Sequence, residues 1–279
     1  IEVIRVPIIP RGNNLFFLFL NYLSFILSCS TLGIIKVRKK KFDKIFFFGT
    51  SPMISVIPGI IISKIKKIPI SIWILDLWPE TLFQFRFFNF YPVKKLFKFI
   101  IKNILSKMNV IFIQSQAFEE KIKNLLKIKK KIIYLPSWYE QIYLKKKFIT
   151  SNKKKFKRVV FAGNLGEAQN LKKLLIQLSK IKKELNIKFF FIGNGRDKKW
   201  MKSFVKKNSL KENIIITKSY HNQKMPNILS CANYLMISLK SIEPFNLTIP
   251  GKLQNYLALG KPIISFAHGI TNQIIKEAN

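Results

Sequence analysis

Pro250, Gly251 and Lys252 open a stretch of the chain, residues 248–264 (TIPGKLQNYLALGKPII), whose residue types suit the binding of an anion. The apolar residues after Lys252 have helical spacing, Gly260 is a typical helix-ending residue, and the apolar residues beyond it predict a buried strand. The first turn of a helix offers backbone N–H groups, and a lysine there adds positive charge. The stretch therefore predicts a site for a phosphate-bearing ligand at the edge of an α/β sheet.

Two further glycine-containing turns follow predicted strands in the second half of the chain. Gly163, Asn164 and Gly166 follow one strand, and the sequence GNGR, which ends at Arg196, follows the next. Glycine lets a backbone approach a ligand closely, and the carboxyl ends of parallel strands meet at one edge of their sheet. Each turn alone is a weak signal, but the three turns together predict one ligand site at this edge.

Strands and helices are predicted to alternate along the chain in two blocks. The first block has predicted strands at 44–48, 68–75, 110–114 and 132–135, with helices at 56–66, 93–109 and 117–126. The second has strands at 159–161, 187–192, 214–217 and 234–237, with helices at 171–186, 198–208 and 222–232. Such alternation is typical of βαβ units with a parallel sheet. Because residues 143–157 lack apolar periodicity and resemble a linker, we expect two Rossmann-like domains, at 1–148 and 149–279, facing a cleft.

The charge of the chain is strongly positive. It has 50 Lys and Arg against 13 Asp and Glu, a net charge of +37. A charge this large suits a nucleic acid or an anionic membrane surface as partner. The positive residues are nearly all lysine and are spread along the whole chain, whereas sequence-specific nucleic-acid modules use arginine on a localised basic face. We therefore expect no specific nucleic-acid partner, and we keep a basic nucleic-acid-binding protein as the alternative function.

Cysteine and histidine are too sparse for a disulfide framework or a metal site. Cys29 and Cys231 lie far apart, as do His221 and His268. This usage favours a reducing compartment and predicts no bound metal.

Residues 15–35 are the most apolar segment and contain no charge. Their length reaches the threshold for a transmembrane helix, and the basic sequence VRKKK at 37–41 suits a cytoplasmic membrane border. Polar residues such as Asn21 and Ser24 recur on one helical face, which favours an interfacial or buried helix. The sequence therefore predicts peripheral attachment to the cytoplasmic face of a membrane, with a single span as the alternative.

Several pieces of the chain, taken in order, resemble one enzyme family. They are GTSPMISVIPG, ILDLWPETL, FIQSQAF and LPSWYEQ in the first block, and FAGNLGEAQN, IGNGRDK, KMPNILSCANYLMISLK and TIPGKLQNYLALGKPII in the second. The sequence resembles GT-B glycosyltransferases of family 4, and in particular the bacterial polysaccharide and O-antigen enzymes similar to L-fucosamine transferases. The resemblance implies an α/β GT-B fold with an incomplete first domain.

The resemblance also implies a function. It implies retaining transfer of a hexosyl or N-acetylhexosaminyl group from a nucleotide-sugar, expected to be UDP-linked, with neither a metal nor a cofactor. The acceptor would be a polysaccharide or a glycan linked to polyprenyl diphosphate. The implied donor-binding residues are Gly163, Asn164, Gly166, Arg196, Lys224, Met225, Pro250, Gly251, Lys252 and Asn255.

Individual roles within this set are also implied by the resemblance. Arg196 and Lys252 would be the basic partners of the diphosphate, and Lys224 and Met225 would border the uracil. Asn255 departs from the family, in which a glutamate often contacts the ribose at this position.

In the first block, the resemblance places Asp76 and Glu80 near the acceptor as candidate catalytic residues. An alternative is that Asp76 caps the next helix while Trp78 only shapes the turn.

The chain begins without methionine, in a predicted strand at 1–6. We expect it to be a fragment at both ends, and a non-catalytic fragment is the second alternative.

Overall fold

The structure is a computed structural model that describes residues 2–12, 14–84, 86–144, 156–180 and 186–278. It divides into two α/β units, Ile1–Pro136 and Ser137–Asn279. The sequence places the boundary between 148 and 149, in the expected linker 143–157, of which residues 145–155 lie outside the described ranges.

The first unit contains a four-stranded parallel sheet in the order β1-β2-β3-β4. Its helices are α1 (Leu15–Ser28), α2 (Ile34–Val37), α3 (Ile57–Lys66), α4 (Tyr91–Ser106) and α5 (Glu119–Leu126). Its strands are β1 (Ile45–Gly49), β2 (Ile70–Ile74), β3 (Val110–Ile113) and β4 (Lys131–Tyr134). The β-branched sequence of β2 is almost wholly buried, as a central parallel strand must be when helices cover both faces of the sheet.

The helical region near the amino terminus is long and apolar. Asn14 caps α1 by accepting a hydrogen bond from the Phe17 N–H, and a π-helical turn, Cys29–Gly33, joins α1 to α2. Among the described residues, Phe16–Val37 is the one helix long and apolar enough to cross a membrane, with a mean hydropathy of 1.8. Only 6% of its most apolar window is buried.

Residues 2–12 form neither a strand nor a helix, so the expectation of a strand at 1–6 is wrong for 2–6. These residues contact the helical region rather than a sheet edge. The Asn21 side chain donates to the Ile9 carbonyl (2.6 Å), and the Ile9 N–H donates to Ser24 Oγ (2.9 Å). The polar face of α1 therefore holds this segment.

The second unit has a five-stranded parallel sheet in the order β7-β6-β5-β8-β9. The strands are β5 (Lys157–Ala162), β6 (Ile187–Ile192), β7 (Ile214–Thr217), β8 (Tyr234–Ser238) and β9 (Ile263–Phe266). The helices are α6 (Leu171–Leu178), α7 (Lys198–Lys207), α8 (Met225–Ser230), α9 (Glu243–Leu247), α10 (Lys252–Ala258) and α11 (Ile270–Glu277). The chain moves from β5 out to β7 and then returns to the other side of β5, so the strand order reverses between β5 and β8. Ligands of doubly wound sheets bind at such a switch point.

Alternate residues of β5 belong to two different hydrophobic cores. Val159 and Phe161 pack with α6 and α7, whereas Val160 and Ala162 pack with α8, α10 and α11. This arrangement follows from the two-residue period of a strand and places helices on both faces of the sheet. The carboxyl ends of the strands are thereby left as the edge at which loops can form a site.

Candidate functional site

A cavity of about 490 Å³ lies at the carboxyl edge of the second sheet, beside the switch point. Its walls come from the ends of β5, β6 and β7 and from α8 and α10. It is lined by Glu140, Tyr143, Ala162, Gly163, Asn164, Ile192, Gly193, Asn194, Ser219, Tyr220, Asn222, Met225, Leu229, Gly251, Lys252, Asn255 and Tyr256. A concave site with a few convergent polar groups is the usual form of a small-molecule site.

Two glycine turns pack backbone against backbone at this cavity. Gly163 and Gly193 have φ angles of +139° and +156°, which side chains rarely adopt. A Cβ atom on Gly193 would lie 1.8 Å from the Gly163 carbonyl oxygen. The Gly163 N–H donates to the Ile192 carbonyl (2.9 Å), and the Leu165 N–H donates to the Asn194 carbonyl (2.8 Å). The sequence folds this way because only glycine fits where the turns touch.

Lys198 fixes the second glycine turn. Its Nζ donates to the Gly193 carbonyl (2.8 Å) and to Asn194 Oδ1 (2.7 Å). Asn194 Nδ2 in turn donates to Ser219 Oγ (2.9 Å), which links the loops after β6 and β7. Desolvation lowers the pKa of Lys198, with a smaller contribution from Lys202. Asn194 is therefore held in one orientation at the cavity wall.

Lys252 is the cation of the cavity. Its Nζ lies 3.7 Å from the centre of the Phe161 ring and donates to Gln169 Oε1 at 2.8 Å. In the part of the chain that the structure describes, no carboxylate lies within salt-bridge distance of this Nζ. Burial lowers the pKa of Lys252 to about 7, because its partners are a neutral amide and an aromatic ring. A ligand anion would supply the missing counter-charge.

Asn255 and Tyr256, on the same helix as Lys252, connect the cavity to other elements. Asn255 Oδ1 accepts from the Glu140 N–H (2.9 Å), and Asn255 Nδ2 donates to Glu140 Oε1 (3.4 Å). The buried Tyr256 hydroxyl accepts from the Ala162 N–H (3.0 Å). These contacts fix α10 against the end of β5 and against the segment that carries Glu140.

The structure brings together six of the expected donor-site residues. Those that line the cavity are Gly163, Asn164, Met225, Gly251, Lys252 and Asn255. Those outside its lining are Gly166, Arg196, Lys224 and Pro250.

The four residues outside the lining differ in their surroundings. Gly166 and Pro250 are buried. Arg196 is exposed on the loop after β6, where its charge acts on the carboxylate of Glu167. Lys224 is exposed at the end of a 3₁₀ turn. The geometry of the cavity therefore gives no support for a contact between these four residues and a ligand.

Sequence reasoning missed several residues of the lining. Ser219, Tyr220 and Asn222 follow β7, so the rule that strand ends meet at one edge, applied to every strand, would have found them. Glu140 has no such signal, since it follows none of the strands β5–β9 and contacts Asn255, which lies 115 residues away in sequence.

The expected catalytic residues lie in the first unit, after β2. Asp76 Oδ2 accepts a hydrogen bond from Ser51 Oγ (2.7 Å), and Ser51 Oγ accepts one from Trp78 Nε1 (2.9 Å). Glu80 is half-buried on the turn that follows. Asp76 is thus joined to the loop after β1, a contact that the sequence did not indicate.

Residues 143–279 match the family model "Glycosyl transferases group 1". The match covers the whole sheet and all but Glu140 of the cavity lining. The matched region covers most of the second unit and just under half of the chain. No curated protein sequence matches the chain at a significant level.

Several solved structures are similar to most of the chain. A glycosyltransferase from Rickettsia africae has a TM-score of 0.64 at 14% identity, over 95% of this chain and 66% of its own. Anabaena Alr3699/HepE with UDP-glucose has a TM-score of 0.66 at 12% identity, over 88% of this chain and 65% of its own. Sucrose-phosphate synthase from Thermosynechococcus elongatus has a TM-score of 0.67 at 13% identity, over 94% of this chain and 65% of its own. The fold is GT-B.

The expected α/β fold with parallel sheets is thereby confirmed. At these identities the similarity establishes the GT-B fold alone. The chain spans about 65% of the length of these GT-B proteins.

Proposed function

We propose that the protein is a retaining glycosyltransferase that uses a nucleotide-sugar, UDP-linked, as its donor. The observation that carries the proposal is Lys252, a cation without a counter-ion in the described structure, in a cavity at the switch point of a group 1 domain. A GT-B protein with a similar fold was solved with UDP-glucose bound. The retaining outcome follows from the resemblance of the sequence motifs.

Lys252 would hold the diphosphate of the donor and stabilise the charge that develops on it as the sugar leaves. Stabilising developing charge with a fixed cation in a water-poor site is an efficient form of catalysis, because little reorganisation is needed during the reaction. The glycine turn at Gly163 lets the ligand approach the backbone beside Lys252. Gln169 would act as a positioning residue, because it holds the lysine Nζ.

Calorimetric titration with UDP tests the donor site. We expect wild-type protein to bind UDP, and Lys252→Ala to weaken binding by about 10-fold or more, as for loss of a charged hydrogen bond. Arg196→Ala tests whether the exposed arginine contributes. Lys218→Ala is the matched control, since Lys218 is exposed beside the cavity but does not line it. No UDP binding, or equal loss in the Lys218 control, would refute the donor site.

We further propose that Asp76 and Glu80 act in transfer to a lipid-linked or polysaccharide acceptor. The support is the resemblance of their motif and the Ser51 hydrogen bond, which holds Asp76. Asp76→Asn keeps the shape and removes the charge. It should lower kcat while the affinity for UDP stays unchanged, and an unchanged kcat would remove Asp76 from the mechanism.

The proposed location is the cytoplasmic face of a membrane with anionic lipids. Support comes from the exposed side chains of Phe16, Phe19 and Ile35 on the apolar helical region, and from the basic residues at 38–41. Basic residues near an anionic surface contribute about 1 kcal/mol each. Flotation with vesicles should show binding that needs anionic lipid and weakens with salt. Phe19→Ser should reduce it, and equal flotation with neutral vesicles would contradict the electrostatic part.

A further inference from the structure

Glu140 places a carboxylate in the cavity from outside the region that matches the group 1 domain. It immediately precedes a 3₁₀ turn, Gln141–Tyr143, and the Tyr143 side chain is buried in the same core as α10. Two contacts with Asn255 then fix Glu140, one to its backbone N–H and one to its carboxylate. Glu140 is therefore held at the cavity wall by both the backbone and the side chain.

The cavity has one acid and one base among its lining residues, Glu140 and Lys252. Asn255, which holds Glu140, is three residues after Lys252 on α10. Side chains at this spacing are neighbours on one helix face, with Cβ atoms about 5–6 Å apart. The cavity thus presents a cation and, about one helical turn further along, a hydrogen-bond acceptor of negative charge.

A ligand that matches this pattern carries an anionic group and, nearby, hydroxyl groups that donate hydrogen bonds. An ionised carboxylate only accepts, and its two oxygens can accept from two adjacent hydroxyls. The single contact of Glu140 Oε1 with Asn255 is long, at 3.4 Å, and the residue is exposed to the cavity, so acceptor capacity is left. A nucleoside diphosphate has this pattern, because its ribose hydroxyls lie a short distance from its diphosphate.

We propose that Glu140 accepts hydrogen bonds from the ribose hydroxyls of the nucleotide and makes the site selective for ribonucleotides. Asn255 is the positioning residue that holds the carboxylate. This proposal rests on the nucleotide-sugar donor proposed above. It assigns a binding residue to a segment that lies before the matched domain in the sequence.

The test compares the affinities of UDP and 2′-deoxy-UDP by calorimetry. A hydrogen bond to a charged group discriminates by about 10-fold or more, so wild-type protein should prefer UDP by that factor. Glu140→Ala should weaken UDP binding at least to the level of 2′-deoxy-UDP with wild-type protein, and it should abolish the preference. Glu140→Gln keeps one acceptor oxygen and should retain part of the preference. Asn255→Ala should reduce the preference without removing the carboxylate.

Gln141→Ala is the matched control, because Gln141 is exposed on the neighbouring turn and does not line the cavity. It should leave both affinities unchanged, and the thermal unfolding of every variant should match that of wild-type protein. UDP binding with the same preference in Glu140→Ala as in wild-type protein would overturn the ribose assignment alone. Absence of UDP binding by wild-type protein would overturn the donor proposal together with this one.

Discussion

UDP should bind less tightly as the pH rises above 7, because Lys252 must take up a proton to hold the diphosphate. In the ligand-free protein its pKa is about 7, since Phe161 and the neutral Gln169 side chain supply no counter-charge. A diphosphate beside Nζ supplies that charge and would return the pKa towards its ordinary value of 10.5. At neutral and alkaline pH, binding and protonation are therefore linked.

The size of the effect follows from the two pKa values. Between about pH 8 and 9, where the lysine is mostly neutral in the free protein and charged in the complex, the Kd should rise about tenfold per pH unit. Proton uptake on binding should be about 0.5 at pH 7 and about 0.9 at pH 8. Well below pH 7 the lysine is charged in both states, so its contribution to the pH dependence disappears.

Calorimetry at several pH values, in buffers with different ionisation enthalpies, measures both quantities. Lys252→Arg stays charged throughout this range, so its affinity should be almost independent of pH. Lys252→Met should bind weakly at every pH. A wild-type Kd that changes less than about twofold between pH 7.5 and 8.5, with no proton uptake, would refute the assignment of Lys252 as the diphosphate cation.

Three further outcomes are expected. The pKa of Lys252 is lower in the folded than in the unfolded chain, so the unfolded chain binds more protons between pH 7 and 10.5. The unfolding free energy of ligand-free protein should therefore rise across this pH window relative to that of Lys252→Met, as measured by urea titration. Gly193→Ala should be strongly destabilising, because its Cβ would lie 1.8 Å from a backbone oxygen. Gly251→Ala, whose Cβ would have no atom within 4 Å, should have the same unfolding free energy as wild-type protein, so that it reports only an effect on UDP affinity. Tyr256→Phe should lower the unfolding free energy by about 1–3 kcal/mol, because a buried backbone N–H loses its acceptor; equal stability of the two proteins would contradict this.

The sheets were largely predictable because buried parallel strands are short apolar runs bounded by turn residues. The strands Ile187–Ile192 and Ile214–Thr217 coincide with the predicted ranges, and β1 and β9 lie within one or two residues of theirs. The strand expected at 1–6 failed for residues 2–6 because an apolar composition alone does not supply a neighbouring strand to pair with. The Arg5 carbonyl instead accepts a hydrogen bond from Lys36 of α2.

The candidate site was predictable where it is formed by turns at strand ends and by the start of a helix. It was less predictable where side chains from distant segments meet. Gly163, Gly251 and Lys252 could be placed from strand ends and a helix start. The pairing of Glu140 with Asn255 joins residues 115 positions apart, and no local pattern indicates it. Arg196 follows a strand and carries the right charge, but it is exposed and does not line the cavity, which no local pattern indicates.

The contact between the Gly163 and Gly193 turns has a consequence for attempts to engineer the protein. Because the floor of the cavity there is bare backbone with no room for a side chain, its shape cannot be tuned by substitution. Variation of ligand preference has to come from lining residues that carry side chains, such as Tyr220, Asn222 and Met225. A mutant library confined to Tyr220 and Asn222, which are exposed, would alter selectivity at little risk to folding, whereas substitution of Gly193 would destabilise the protein.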